Sequence, residues 1–522
     1  MHSKKEPKHT IQELQQWQAL PLSIKVRMTK QRIRDWINYY GEDGVYVSFS
    51  GGKDSTVLLD LVRQEYPNVV AVFVDTGLEF PEIRQFVKLF DNVEWVKPKM
   101  TFRQVIEKYG YPFISKEVSE CVAGARKYLT AVVNDLQSLE RTNERTNEGT
   151  ICQLTKVQRT SHVGDTCSMK PTECSVGIDI SSLSRLPNGV ASLGIVNLLD
   201  VANLITGQRE KGRPEMPDNI ACQLDALIQN QYVQNVLGLK KAQAKNGSYW
   251  TTTVRDIPSD DRTKSMFSHE KYKFFLDAPF EISNMCCYVM KKSPAKEYEK
   301  RTGKWAFTAM MASESKLRTN AWLKDGCNGF DRKHPMSNPM AFWTEQDVLL
   351  YLRENHDRML APLKERNPEL KHPWVSVYGE ILTDDEESGQ VSLFDGNALD
   401  AGLFDFDRPE LHTTGENRTG CMFCGFGCHI RKNDGRFERM KVSHPKIYKY
   451  LFGGEWSYQV FSHDGSEIDL RHVDKEMLKR WVAKNQENRR FKIVWKTPPK
   501  GGLGYADVID WINEHGNFNI KY

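Results

Sequence analysis

The chain of 522 residues contains no run of eighteen apolar residues, so no membrane-spanning helix is expected. Its first residues, Met1 to Thr10, are polar and charged and lack the apolar stretch of a signal peptide. A dominant charge is missing too. Lys and Arg total 72 against 68 Asp and Glu, a balance of +4 that excludes a histone-like or generally polybasic protein. The expectation from these absences is a cytoplasmic protein. A reducing compartment disfavours a disulfide framework, which leaves 11 cysteines in need of another use. What is present suffices for a real core: 39% hydrophobic residues, 11% aromatic, in a length that admits two to four domains.

Apolar spacing at Leu14, Trp17, Ile24, Val26, Ile33 and Trp36 predicts helix over residues 11–40. Val45–Phe49 reads as a strand that enters a glycine turn, followed by helical spacing over Thr56–Val62. Further strands are expected at Val69–Val74, Val93–Val96 and Ala306–Ala312. Strands alternating with helical patterns point to an α/β fold with a doubly wound parallel sheet. Pro294 marks the start of a helix over Ala295–Arg301, and Thr344 with Asp347 three residues on reads as the cap of a helix over Thr344–Arg353.

Composition divides the chain into an N-terminal helical segment (1–40), an α/β part (41–127) and a large insertion (128–255). The remainder of the α/β domain (256–410), a Cys-rich segment (411–450) and a basic C-terminal region (451–522) follow. The insertion holds a short tandem repeat, Glu140 to Glu148, and a stretch rich in Ser, Thr, Cys and Gly; it is expected to be partly disordered.

The hexapeptide Ser50-Gly51-Gly52-Lys53-Asp54-Ser55 lies between a predicted strand and a predicted helix. Its glycines let backbone approach a ligand, and its successive N–H groups with the helix N-terminus favour an anion. Lys53 adds a positive charge, and Ser50 and Ser55 add hydroxyls. It is not a Walker A loop, because the GxxxxGK[ST] spacing is missing. The second strand closes on Asp75-Thr76-Gly77, outside the carboxyl end of a strand, where ligands of open α/β sheets sit.

The hexapeptide resembles the PP-loop of the adenine nucleotide alpha-hydrolase superfamily, whose members grip the pyrophosphate of ATP or the phosphosulfate of a sulfonucleotide. Within it the chain most resembles the phosphoadenosine phosphosulfate reductase family, which carries a segment similar to Asp75-Thr76-Gly77-Leu78-Glu79-Phe80-Pro81-Glu82. Ser313 to Arg318 is similar to that family's substrate-side ExxxR segment, and Arg318 suits bidentate grip of phosphate or sulfate. The resemblance implies a nucleotide site of Ser50, Gly51, Gly52, Lys53, Asp54, Ser55, Asp75, Thr76 and Gly77, with Lys53, Asp54 and Arg318 as catalytic candidates.

Cys286 and Cys287 are adjacent, and Cys421 and Cys424 form a CxxC turn. Thiolates are soft ligands, and four make a complete set for an iron–sulfur cluster or zinc. The CC…CxxC order resembles the [4Fe–4S] ligands of adenylylsulfate reductases. Cys327 and Cys428 are rival ligands, and Cys428 with His429 is the zinc alternative.

Two departures from the reductases push the same way. Sulfonucleotide reductases carry a nucleophilic cysteine near their C-terminus, and here no cysteine follows Cys428. Their PP-loop tends to be degraded, and here it is complete. The leading expectation is therefore ATP-dependent adenylation, with Mg²⁺, and sulfur transfer assisted by the cluster. A sulfonucleotide (APS or PAPS) reductase is the alternative, and a non-catalytic nucleotide-binding regulator associated with nucleic acid is the third. The expected partners are an adenine nucleotide, a thiol or sulfur-donor protein, and a nucleic-acid acceptor, tRNA or DNA. The last rests on residues 475–500, which hold nine Lys or Arg against two acids, interleaved with Trp481, Phe491 and Trp495. A solvated helix with buried aromatics is the competing reading of that tail.

Overall fold

The computed structural model describes residues 7–129, 230–237, 239–243, 249–253, 269–388, 409–430, 435–462, 466–470, 472–485, 491–498 and 500–522. Two compact units result, each made of two separate lengths of chain: Met1–Phe102 with Cys287–Cys424, and Arg103–Cys286 with Gly425–Tyr522.

The first unit is built on a six-stranded sheet. Its strands, numbered along the chain, are β1 (Val45–Ser48), β2 (Ala71–Val74), β3 (Val93–Val96), β4 (Trp305–Phe307), β5 (Asn328–Gly329) and β6 (Met336–Ser337), and their spatial order is β3-β2-β1-β4-β6-β5. All pairings are parallel except that of β5 with β6. The short apolar runs form central strands because both faces are covered. Val45, Val47, Phe49, Ala71 and Phe73 enter one cluster, with Val57, Leu61 and Trp36 from the helices over them. Tyr46, Val70, Val72 and Ala306 enter another with Tyr298. Alternate side chains thus serve opposite layers, as strand geometry requires. The chain runs outward from β1 to β2 to β3 and later resumes on the other side of β1 with β4. This reversal of strand order is where open α/β sheets bind ligands.

Several elements differ from the expectation. The stretch 11–40 is two helices, Ile11–Gln18 and Leu22–Tyr40, because Pro21 cannot continue the first and stands at the N-cap of the second. The strand expected over Ala306–Ala312 ends at Phe307, and Ala312–Glu314 is instead a 3₁₀ turn leading to Ser315, the N-cap of helix Lys316–Asp325. Pro294 stands in the first turn of helix Ser293–Thr302 as expected. Thr344 and Asp347 form a full capping box on helix Glu345–Glu354. Asp347 also pairs with the buried Lys25 at 2.8 Å, which ties that helix to Leu22–Tyr40.

In the second unit, helix Phe102–Tyr109 leads to Phe113–Ile114, which pairs in parallel with Gly425–Phe426. An antiparallel hairpin joins Ser457–Phe461 to Lys492–Lys496. Helix Tyr505–Gly516 buries Tyr505, Val508, Ile509 and Ile512. The Arg126 guanidinium donates to the carbonyls of Phe275, Ala278 and Phe280, replacing regular backbone pairing there. The expected insertion, 128–255, lies mostly outside the described residues. Its described parts are a helix at Gln231–Leu237 and a hairpin of Leu239–Gln243 with Tyr249–Thr253. No described helix is long and apolar enough to cross a membrane.

Candidate functional site

The phosphate loop leaves β1 and caps helix Lys53–Arg63. Gly51 has φ of +71°, and a Cβ there would lie 2.8 Å from the methyl groups of both Ile83 and Val87. Conformation and space therefore both demand glycine. Gly52 is crowded differently: its Cβ would meet Thr419 Oγ1 at 3.1 Å and the Tyr378 hydroxyl at 3.2 Å. The serines hold the turn from within. Ser50 N–H donates to Ser55 Oγ at 3.2 Å, the two hydroxyls are 3.0 Å apart, and Ser55 donates to the Gly52 carbonyl at 2.9 Å.

Lys53 is buried, and its ammonium is fully engaged. It donates to the Asn417 carbonyl at 3.0 Å, pairs with Glu345 at 3.0 Å, and lies 3.8 Å from Asp54. Burial alone would lower its proton affinity, but Asp54, Tyr378 and Glu345 more than offset that and hold it above the ordinary lysine range. Its backbone N–H, one of the groups a phosphate would use, donates to the Tyr378 hydroxyl at 3.2 Å. That hydroxyl lies 2.7 Å from Thr419 Oγ1. Segment 417–419 and Tyr378 thus occupy the loop from outside. Tyr378, Glu345 and Thr419 carry no local signal for this role, because they stand far from the hexapeptide along the chain.

Asp54 carries one buried carboxylate oxygen, Oδ1, without a hydrogen-bond partner. Burial raises its proton affinity, Lys53 opposes, and Glu345 adds to the rise. Asp75, at the end of β2, accepts from Arg84 at 2.9 Å through Oδ2, while its Oδ1 is buried and has no hydrogen-bond partner. Thr76 is committed to a turn: its hydroxyl donates to Glu79 at 2.7 Å and accepts from Leu78 N–H at 3.1 Å. Gly77 takes φ of +74° in that turn.

Arg318 stands one turn into its helix and pairs with Glu314. Burial and the nearby Arg418 both depress its proton affinity, and Asp54 partly restores it. Arg418 approaches the same Glu314 at 3.9 Å. Two guanidiniums therefore converge on one carboxylate beside the loop. Their mutual repulsion is a cost that a bound anion would relieve. Along the chain Arg418 stands out only as a neighbour of cysteines, and the fold gives it this second setting.

The cysteines divide. Cys287, Cys421 and Cys424 belong to the first unit and Cys286 to the second. Met422 N–H donates to the Leu78 carbonyl at 2.8 Å, which anchors the CxxC turn beside the Thr76–Glu79 turn. Lys291 lies in a short π-helical stretch, Tyr288–Lys292, directly after Cys287. Its ammonium bonds the Cys421 sulfur; burial would lower it, yet Cys421, Glu79 and Cys287 hold it above the usual range. Burial pushes the Cys421 thiol up to about 11 against the pull of Lys291. Among the described residues no group of three or more His, Cys, Asp or Glu side chains is placed to hold a metal ion. Cys327 is buried, and Cys428 donates to the Gly425 carbonyl at 2.8 Å.

In the tail, Trp495 packs on Phe280 and Trp456, with centroids 5.7 and 5.3 Å away, and Trp481 packs edge-on to Phe491. Trp481, Phe491 and Trp495 are all half-buried.

Residues 44–160 match the family model for the phosphoadenosine phosphosulfate reductase domain. The chain is similar to proteins named adenosine 5'-phosphosulfate reductase from Geobacillus kaustophilus, 30% identical over 113 residues, and from Staphylococcus haemolyticus, 34% identical over 90. These stretches cover 20% and 16% of this chain, and 48% and 36% of the relatives. A protein of Methanocaldococcus jannaschii named only as uncharacterized is 38% identical over 73 residues, 13% of this chain and 18% of that one. The chain thus spans less than half the length of each of these relatives. The matched stretch contains β1, the phosphate loop and the Asp75 turn, and over it the chain is similar to the phosphoadenosine phosphosulfate reductase domain.

Proposed function

We propose that the chain is an enzyme of sulfur metabolism whose first unit binds an adenine sulfonucleotide of the adenosine 5'-phosphosulfate type. The observation that carries this reading is the convergence of Lys53, Arg318 and Arg418 around Asp54 and Glu314. A phosphate on the loop and a second anionic group at the arginines would satisfy all three cations. The names of the relatives favour sulfate as that second group. Binding must displace Tyr378 from the Lys53 N–H and Glu345 from its ammonium. The chemistry would be attack by a donor protein's thiol on sulfur, the new S–S bond forming as the S–O bond to AMP breaks, with a second thiol then releasing sulfite. The loop and arginines would orient the nucleotide and hold the charge of the departing phosphate.

The complete Ser50–Ser55 loop favours a second reading, ATP-dependent adenylation followed by sulfur transfer to an acceptor such as tRNA or DNA. Asp54 Oδ1 and Asp75 Oδ1, neither of which accepts a hydrogen bond, are hard donors of the kind Mg²⁺ takes. The iron–sulfur reading rests on the order of the cysteines alone.

Calorimetric titration of anaerobically purified protein with adenosine 5'-phosphosulfate, its 3'-phosphorylated form and ATP discriminates the readings. We expect tighter binding of a sulfonucleotide, with sulfite released when a thiol donor is added. Tenfold preference for ATP, about 1.4 kcal/mol, with pyrophosphate release would overturn the first reading in favour of the second.

A further inference from the structure

Within the first unit, helix His356–Lys364 and the segment running up to Ile381–Thr383 bring two histidines face to face. His356 Nε2 lies 3.1 Å from His372 Nδ1. The outer nitrogen of each ring meets a carboxylate: His356 Nδ1 is 2.9 Å from Asp357 Oδ1, and His372 Nε2 is 3.0 Å from Glu380 Oε1. A carboxylate accepts, so both outer nitrogens donate. Both inner nitrogens then present lone pairs to each other. Two facing lone pairs repel unless a proton or a metal ion lies between them.

We propose that His356 and His372 form a two-imidazole site for a borderline divalent cation of the Zn²⁺ class. Three features set this pair apart from an ordinary surface histidine contact. Tetrahedral zinc bonded to two nitrogens at about 2.0–2.1 Å separates them by roughly 3.3 Å, and the observed spacing needs only a small rotation of either ring. Metal-ligating histidines characteristically donate their second N–H to a carboxylate, which fixes the tautomer and strengthens the ligand; here both rings do. The rings are also held in place. The indole of Trp374 stacks on His372 at 4.7 Å with planes 10° apart and meets His356 edge-on at 5.5 Å. That indole is buried and donates to the Gly379 carbonyl at 2.9 Å. The histidine side chains are 28% and 18% exposed, so water can complete the coordination sphere. Asp357 and Glu380 supply two negative charges beside a dication. Imidazole with water suits zinc, nickel and copper better than magnesium or calcium. The site lies apart in sequence from the phosphate loop and the cysteines.

The test is calorimetric titration of the full-length protein with Zn²⁺ alone, compared with His356→Ala, His372→Ala and Cys421→Ser. We expect a binding event that persists in Cys421→Ser and whose affinity falls at least tenfold in each histidine variant. If every event seen in the wild type survives both histidine variants, the proposal is overturned. A second readout covers the case in which the alanine variants fail to fold. Ni²⁺ bound at the two imidazoles will quench the Trp374 indole that lies against them, so Trp374→Phe should lose most of the Ni²⁺-dependent quenching seen in the wild type. Equal quenching in both proteins overturns the assignment. Glu380→Gln gives a finer check, with an expected affinity loss of about tenfold or more through the weakened His372 ligand.

Discussion

Lys53 in the phosphate loop and Lys291 beside the CxxC turn are both buried ammoniums in the first unit, and both are held above the ordinary lysine range. Their partners differ. Lys53 is surrounded by oxygen: the Asn417 carbonyl and the carboxylates of Glu345 and Asp54. Lys291 is surrounded mainly by sulfur, from Cys421 and Cys287, with Glu79 as its one carboxylate. Burial raises the proton affinity of Asp54 and Lys53 opposes that rise, so this lysine and its carboxylate stabilise one another's charge. A thiol is charged only when something stabilises the thiolate. Lys291 supplies that stabilisation to Cys421, while burial works against it. Under the proposed function Lys53 would meet the incoming anion, and Lys291 would modulate thiol chemistry.

The strongest way to break this comparison is to damage the loop itself. Gly51→Val forces a β-branched residue into positive φ and into Ile83 and Val87. A loss of about 3 kcal/mol or more in stability is expected, measured as a fall in the denaturant midpoint together with loss of nucleotide binding. Unchanged stability would mean that the loop is more plastic than its packing implies.

Lys53→Met should come next, costing about 1.5–3 kcal/mol of nucleotide affinity, roughly tenfold to a hundredfold. Lys291→Met should leave nucleotide affinity within about twofold and slow alkylation of Cys421 at pH 8, because the thiolate loses its cation. If the two lysine variants weaken nucleotide binding equally, the division of roles is wrong.

Arg318→Ala and Arg418→Ala should each weaken binding by about 1–2 kcal/mol. Because both act on one anion, the double variant should lose less than the sum, with a coupling of about 0.5 kcal/mol or more. Strict additivity in a calorimetric cycle would mean that the arginines serve different groups. The smallest effect is expected from Glu345→Gln. Removing the competing carboxylate should tighten nucleotide binding by a few-fold, and weaker binding would show that Glu345 positions Lys53 instead of restraining it.

The parts most legible in the sequence were those whose cause is local. A glycine pair followed by Lys53 between an apolar run and a helical pattern can be read along the chain, because strand, turn and helix N-terminus are contiguous. The same holds for the Thr344–Asp347 capping box and for Pro294. The ends of strands were less legible. Ala306–Ala312 is apolar through most of its length, yet only Trp305–Phe307 is strand, because pairing is set by what β1 and β6 offer beside it. The approach of Arg318 and Arg418 to one carboxylate, and the placement of Tyr378 against the Lys53 N–H, carried no local signature at all.

Residue order alone points to the kind of site: a glycine-rich loop at the start of a helix, a carboxylate at the end of the next strand, and a stretch around them that matches one family's domain. Those depend on backbone conformation and on residue spacing over a few positions. Folding in three dimensions settles which side chains answer the loop and how the chain is divided. The two units each draw on two distant lengths of chain, and the boundary falls between the adjacent Cys286 and Cys287. Contacts such as Glu345 with Lys53 or Arg418 with Glu314 join residues that only the packing of layers brings together. Their energies depend on burial and on neighbouring charge, and neither is a property of a residue's place along the chain.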